Sequence, residues 1–244
     1  MQVLKFGGSS VANAQNMSKV VDIVIKAVDR DRTILVASAI SGCTDTLIRI
    51  GILASERDDS YKTLIDELQH RHHDIINELL PREKQQESLE VCDSLFNSLR
   101  SITQGVYLLG ELSPASLDAI QSFGELWSTK ILATKIASIG IATKWIDSRS
   151  IIRTVAKGDK NAVDVQKTYY RINEVVENDP VTQLFVLPGF IASDKQGRTT
   201  TRGRGGSDYT ASLYAVGCKA RILEIWTDVP GMMTSNPKVV PTAR

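Results

Sequence analysis

Nothing in the chain is long, apolar and uninterrupted: no run approaches the roughly 20 residues that cross a bilayer, so no membrane partner is expected. Charge of one sign is lacking too. Lys and Arg number 29 against 28 Asp and Glu, a formal net charge of +1. That balance removes the bulk electrostatic case for nucleic acid or an anionic membrane surface, so any anion must be held by a local arrangement. Cysteine is scarce. Cys43, Cys92 and Cys218 are far apart and odd in number, which argues against a disulfide framework or a zinc site and points to free thiols in a reducing cytoplasm. The N-terminus has no basic segment leading into an apolar stretch, so it does not read as a secretory leader. Internal repeats and low-complexity tracts are absent. So are a GxGxxG after the first strand and the GxxxxGK[ST] order of a P-loop, which counts against a Rossmann dehydrogenase and a Walker-type kinase.

What remains is 244 residues, 42% apolar and 23% charged, ordinary for a soluble α/β protein with a substantial core. Gly203-Arg204-Gly205-Gly206-Ser207-Asp208 is its most informative stretch. Glycines let a backbone turn sharply and approach a ligand closely. Ser207 or Asp208 is placed to cap a helix with apolar positions at Ala211, Leu213, Tyr214 and Val216. A glycine-rich loop feeding a helix start offers N–H groups and a positive dipole end to an anion. Arg204 adds a planar cation suited to carboxylate or phosphate. Asp208 adds a negative group for an amine, a hydroxyl proton or a metal.

Upstream, Val3-Leu4-Lys5-Phe6 reads as a buried strand ended by Gly7-Gly8. Ser9 and Ser10 are candidate caps for a helix whose residues Met17, Val20, Val21, Val24, Ile25 and Val28 share one face. Thr33–Ala37 is a β-branched strand, so residues 3–37 form a strand–helix–strand unit of a parallel sheet. Ligands of such sheets bind beyond the C-terminal strand ends, here Gly7-Gly8-Ser9-Ser10 and the segment from Ser38 to Asp45. Lys5 is costly to bury without a counter-charge; beside a Gly-Gly loop, a phosphate is its expected partner.

Residues 55–115 read as a polar helical excursion with two helices separated by Pro81. His70, His72 and His73 within it read as a solvated helix face rather than a metal site, because none forms an i,i+4 pair. Leu108-Leu109-Gly110 and Ser113-Pro114 mark the return. Ser122-Phe123-Gly124-Glu125 opens the next helix in this reading, where a first-turn carboxylate has a simple dipole explanation beside a ligand-binding one. Lys144–Asp147 reads as a strand, Asp164–Val176 as a helix, Leu184–Ile191 as a strand broken near residue 188, and Ile222–Trp226 as a buried strand ending in Thr227-Asp228. The strand-end loops together hold cations, backbone donors, hydroxyls and acids, an inventory suited to phosphoryl transfer from ATP with Mg²⁺.

Lys5-Phe6-Gly7-Gly8-Ser9-Ser10-Val11, the Gly203–Ala211 stretch and Trp226-Thr227-Asp228-Val229-Pro230-Gly231 resemble motifs of aspartate kinases in the amino acid kinase superfamily. Ser38-Ala39-Ile40-Ser41-Gly42 and Ser122-Phe123-Gly124-Glu125 fit the same pattern, in the same order. Val11-Ala12-Asn13-Ala14 and Glu224-Ile225-Trp226 look most like the kinase part of bifunctional aspartokinase–homoserine dehydrogenases. The resemblance implies a three-layer α/β/α sandwich with a mostly parallel central sheet. It implies that residues 1–244 are a catalytic domain truncated at its C-terminus, without regulatory ACT or dehydrogenase domains, and with an incomplete nucleotide site.

The implied reaction is transfer of the ATP γ-phosphoryl group to the β-carboxylate of L-aspartate, in a cytoplasmic homo-oligomer that opens lysine, threonine and methionine synthesis. In that role Lys5 and Asp208 are catalytic. Lys5, Gly7, Gly8 and Ser9 hold the phosphates, and Thr227, Asp228, Met233 and Lys238 face the nucleotide. Ser38, Thr44, Glu125, Arg204, Gly205, Gly206 and Ser207 hold aspartate, with Glu125 on its ammonium and Arg204 on its α-carboxylate. No residue is assigned as a protein metal ligand. Met233 stands where an aromatic residue is usual, Lys238 where arginine is usual, and Arg202 where an apolar residue is usual. A non-catalytic aspartate- or nucleotide-binding domain, and a kinase with another acceptor, remain the competing readings. The reading requires Lys5 and Arg204 to converge on one pocket.

Overall fold

Residues 2–6 alternate between two buried environments, and that alternation sets the architecture. Leu4 and Phe6 enter one apolar cluster with Leu35, Ala37, Leu184 and Val186, while Val3 enters a second with Ile34, Val36, Phe185 and Leu187. A sheet buried on both faces needs helices on both, giving three layers. The computed structural model describes residues 1–157, 160–201, 203, 205–227, 239–240 and 242.

In chain order these form β1 (Gln2–Phe6), a 3₁₀ turn (Ser9–Val11), α1 (Ala14–Val28), β2 (Thr33–Ala37), α2 (Cys43–Ser55), α3 (Ser60–Leu79), α4 (Arg82–Leu109) and α5 (Pro114–Ser138). Then follow β3 (Thr143–Trp145), α6 (Ser148–Ile151), β4 (Thr154–Lys157), β5 (Lys160–Val163), α7 (Val165–Glu177), β6 (Leu184–Pro188), β7 (Ile191–Ser193), β8 (Thr199–Thr201), α8 (Gly206–Gly217) and β9 (Ile222–Trp226). The main sheet has the order β3-β6-β2-β1-β9, and every pairing in it is parallel. Two antiparallel hairpins, β4–β5 and β7–β8, stand outside it.

The helical excursion forms with its break where the sequence puts it: Leu80 ends α3 and Pro81 precedes α4. Gly110, left-handed at φ 69°, closes α4, and Ser113 caps α5 with Pro114 in its first turn.

Several local expectations are corrected. Ser9 and Ser10 do not cap α1, because Ser9–Val11 is a 3₁₀ turn and the Asn13 side chain accepts from the Asn16 N–H instead. The helix carrying Glu125 begins at Pro114, so Glu125 is mid-helix. His72 is not on a solvated face. It is fully buried, with its ring 4.8 Å from Trp127 and 5.6 Å from Phe96, and burial pushes its pKa down to about 4. A polar excursion packed on its own apolar stripe hides one histidine of three; neighbouring polarity did not reveal which. The strand expected from residue 184 to 191 divides at Gly189-Phe190, with Phe190 left-handed at φ 65°. That conformation is strained for a bulky residue.

A candidate active site at the strand ends

The C-terminal ends of β1, β2 and β6 meet the start of α8 and the middle of α5. Lys5 is the one charged residue within β1, and it lies on the α8 side with Val3. It is 8% exposed, and its ammonium meets the Asp208 carboxylate at 2.6 Å. The lysine expected to meet a phosphate is therefore first met by Asp208, whose side chain is 47% exposed. An ion pair holding a buried ammonium at a half-open rim orients that charge while leaving it within reach of a ligand.

Gly7 flanks this ammonium: a Cβ there would lie 3.7 Å from Lys5 Nζ. Gly8 is fitted to the next loop, and its Cβ would come within 3.0 Å of the Ala39 carbonyl oxygen. The two loops are sewn together, Ser41 N–H donating to Gly8 O (3.2 Å) and Ser38 N–H to Phe6 O (3.1 Å).

α8 begins at Gly206 on Gly205, left-handed at φ 77°, with no side-chain cap. Neither Ser207 nor Asp208 is its cap, contrary to the sequence expectation. A left-handed glycine sets the entry angle, and both residues fall in the first turn, where an acid is favoured by the dipole. Ser207 is pressed against Gly189. A Cβ on Gly189 would lie 2.6 Å from Ser207 Cβ and 2.7 Å from its Oγ, while Gly189 N–H donates to Ala37 O at 2.9 Å. Gly189→Ala is expected to destabilise the protein by about 1–3 kcal/mol and to displace the start of α8. Chemical denaturation of the variant against wild type checks this.

Glu125 approaches from the other face. It is 3% exposed, and its Oε2 has no hydrogen-bond partner among the described residues. Burial pushes its pKa up to about 8, partly offset by the Ala39 backbone N–H. α5 comes this close because residue 124 is glycine; a Cβ there would meet Ala39 Cβ at 2.7 Å. The helix is tied to the same loop by Ser128 Oγ, which donates to Ser38 O at 2.8 Å. Mid-helix, the carboxylate has no dipole explanation, and an unpaired buried acid is unfavourable unless something answers it.

Ser38 is half-buried at the end of β2, Thr44 half-buried in the first turn of α2, and Ser9 exposed. α2 also starts on a left-handed glycine, Gly42, without a side-chain cap. Thr227 is exposed beyond β9. Arg202, Arg204, Asp228, Met233 and Lys238 lie outside the described residues, and with them the expected convergence of Arg204 on Lys5.

Arg71, on α3, was not singled out by its sequence. Its guanidinium donates to Ser41 O (2.9 Å) and Ala12 O (3.0 Å), clamping the loops after β2 and β1. No local signal separates it from the other charges of a polar helix; only the folded excursion brings it to the rim. Arg71→Ala is expected to weaken ligand binding at the rim about tenfold through loosened loops, measurable by titration calorimetry.

The parallel sheet and its glycine-rich strand-end loops thus gather an ammonium and two acids at one rim. The chain matches the amino acid kinase family over residues 1–244, and it belongs to that family. Among its relatives, lysine-sensitive aspartokinase 3 of Escherichia coli is 32% identical over 252 residues, covering 99% of this chain and 52% of that protein. Bifunctional aspartokinase/homoserine dehydrogenase 2 of Arabidopsis thaliana is 30% identical over 240 residues, covering 98% of this chain and 26% of that protein. The crystal structure of E. coli aspartokinase III in complex with aspartate and ADP matches with a TM-score of 0.86 and 31% identity, over 100% of this chain and 53% of that one. Clostridium acetobutylicum aspartate kinase matches with a TM-score of 0.73 and 26% identity, over 98% of this chain and 50% of that one. The chain thus spans about half or less of the length of these relatives.

Proposed function

We propose that this chain is the catalytic domain of an aspartate kinase, transferring the γ-phosphoryl group of ATP to the β-carboxylate of L-aspartate to give 4-phospho-L-aspartate. The observation that carries this reading is the buried Glu125 carboxyl, whose Oε2 has no hydrogen-bond partner among the described residues, at the strand-end rim that also holds the Lys5–Asp208 pair. An acceptor that brings an ammonium answers that acid. The aspartokinase relatives, and the complex of E. coli aspartokinase III with aspartate and ADP, support the same acceptor and donor.

In the proposed reaction Glu125 takes the aspartate ammonium, and Arg204 takes the α-carboxylate as a planar fork. Ser38, Thr44, Gly205, Gly206 and Ser207 shape the space around the acceptor. The β-carboxylate is already ionised at neutral pH, so no general base is required. Lys5, held by Asp208, neutralises charge accumulating on the transferring group. Gly7, Gly8 and Ser9 give the phosphates access to backbone donors, and Thr227, Asp228, Met233 and Lys238 serve the nucleotide. The donor set fits Mg²⁺, which is typically held by one or two carboxylates plus substrate phosphates: Asp208 is a half-exposed acid beside the Gly7-Gly8 loop. Bound there, the ion would offset phosphate charge. We further propose a homo-oligomeric cytoplasmic enzyme opening lysine, threonine and methionine synthesis.

Incubation with ATP, Mg²⁺ and L-aspartate, followed by hydroxylamine capture, is expected to yield aspartyl hydroxamate with matching ADP release. Equal ADP release with glutamate or a nucleoside monophosphate as acceptor would overturn the assignment. Calorimetry with aspartate alone tests the acceptor pocket separately from turnover.

A further inference from the structure

Glu125 faces the strand-end loops; Trp127, two residues on and just over half a helical turn round, faces away from them towards α4. There a cavity of about 290 Å³ opens between α4, α5 and β3. It is at the small end of the ligand-pocket range, room for a one- or two-ring molecule. Leu95, Trp127, Ile131 and Trp145 supply apolar wall. Trp127 is 1% exposed, and its indole N–H has no hydrogen-bond partner among the described residues.

The cavity also carries a charge with no close carboxylate partner among the described residues: Asp147 acts on Lys130 only at longer range. Lys130 lies 3.7 Å over the Trp145 ring, and burial lowers its pKa. Asp147 is instead ion-paired with Arg149 at 2.6 Å. The other lysine of the lining, Lys84, is already engaged by Glu87 at 3.5 Å. A partly desolvated ammonium above an aromatic wall favours an anion that brings its own apolar body.

We propose that this cavity binds a small planar molecule bearing one carboxylate, with its ring against Trp127 and Trp145 and its acid on Lys130. The site lies behind the strand-end rim and does not depend on the reaction proposed there.

The chain has three tryptophans, and two of them, Trp127 and Trp145, line the cavity. Trp226→Phe therefore leaves fluorescence that reports on this cavity alone. Titration of that variant with para-nitrobenzoate, a quenching ring with one carboxylate, is expected to give saturable quenching. The neutral para-nitrobenzamide should bind about fivefold more weakly, the increment of one partly exposed charge pair. Adding Lys130→Met should equalise acid and amide. Adding Ala137→Phe should abolish saturable binding; Ala137 lines the cavity but is exposed, so a large side chain there closes the mouth without entering the core, and it adds no tryptophan to the readout. Non-saturating quenching, equal affinity for acid and amide, or binding indifferent to Ala137→Phe would overturn the proposal. So would a dimer that Ala137→Phe dissociates while no ligand binds, which would assign the cavity to a second copy of the chain.

Discussion

Replacing Lys5 with methionine is expected to lower kcat by roughly 10²–10³-fold while leaving the KM for aspartate within a few-fold. The residue sits in the central parallel sheet, 8% exposed, where methionine fills nearly the same volume. Its partner Asp208 is half-exposed and returns to water in the variant, so the fold survives the change. What is lost is a fixed positive charge beside Gly7-Gly8, needed only as charge accumulates on the phosphoryl group in transit. Asp208→Asn should fall between wild type and Lys5→Met, because the ammonium remains but is no longer held in place. Steady-state kinetics coupled to ADP release decide the matter. A Lys5→Met enzyme with kcat within threefold of wild type would remove Lys5 from the catalytic role.

Glu125→Gln is expected to raise the KM for aspartate about a hundredfold, since a charge-assisted contact in a buried site is replaced by a neutral one. The stronger test is pH. In the free protein the Glu125 carboxyl has its pKa pushed up to about 8 by burial, so it is protonated at neutral pH. Binding an ammonium requires its ionised form, and the proton is expelled on binding. Aspartate affinity should therefore rise by up to tenfold per pH unit between pH 6 and 8 and level off above, and Glu125→Gln should flatten that slope.

The same group acts on stability with the opposite sign. Its folded pKa lies above the ordinary glutamate value of 4.5, so its contribution is fully present below that value. It is lost as pH rises towards about 8, at up to about 1.4 kcal/mol per pH unit. His72 works the other way: its pKa is lowered from 6.5 to about 4, so its contribution is present above 6.5 and lost as pH falls towards 4. The difference between wild type and Glu125→Gln cancels the histidine. Denaturation at pH 5 and pH 8, with and without aspartate, should show the wild-type penalty at pH 8 and its relief by ligand. A pH-independent difference would show that Glu125 does not titrate in this window.

The sequence by itself determined what depends on neighbours along the chain. The strands β1, β2 and β6, their parallel arrangement, the break at Pro81, the return at Ser113-Pro114 and the Gly-Gly end of β1 follow from side-chain periodicity and from the backbone limits of proline and glycine. Both are written in a few consecutive residues. β9, expected to be buried, is instead a half-exposed edge strand, with Ile222, Ile225 and Trp226 exposed, because edge position is set by sheet order and not by local sequence. The tertiary structure alone decided which groups face each other. Asp208 pairs with Lys5, and Glu125 is a buried mid-helix acid rather than a helix-start one. His72 is the buried member of three histidines, Gly189 makes room for Ser207, and Arg71 clamps two loops from a distant helix. Burial and pairing are relations between elements far apart in sequence. Desolvation and ion contact act through space, so no local pattern encodes them.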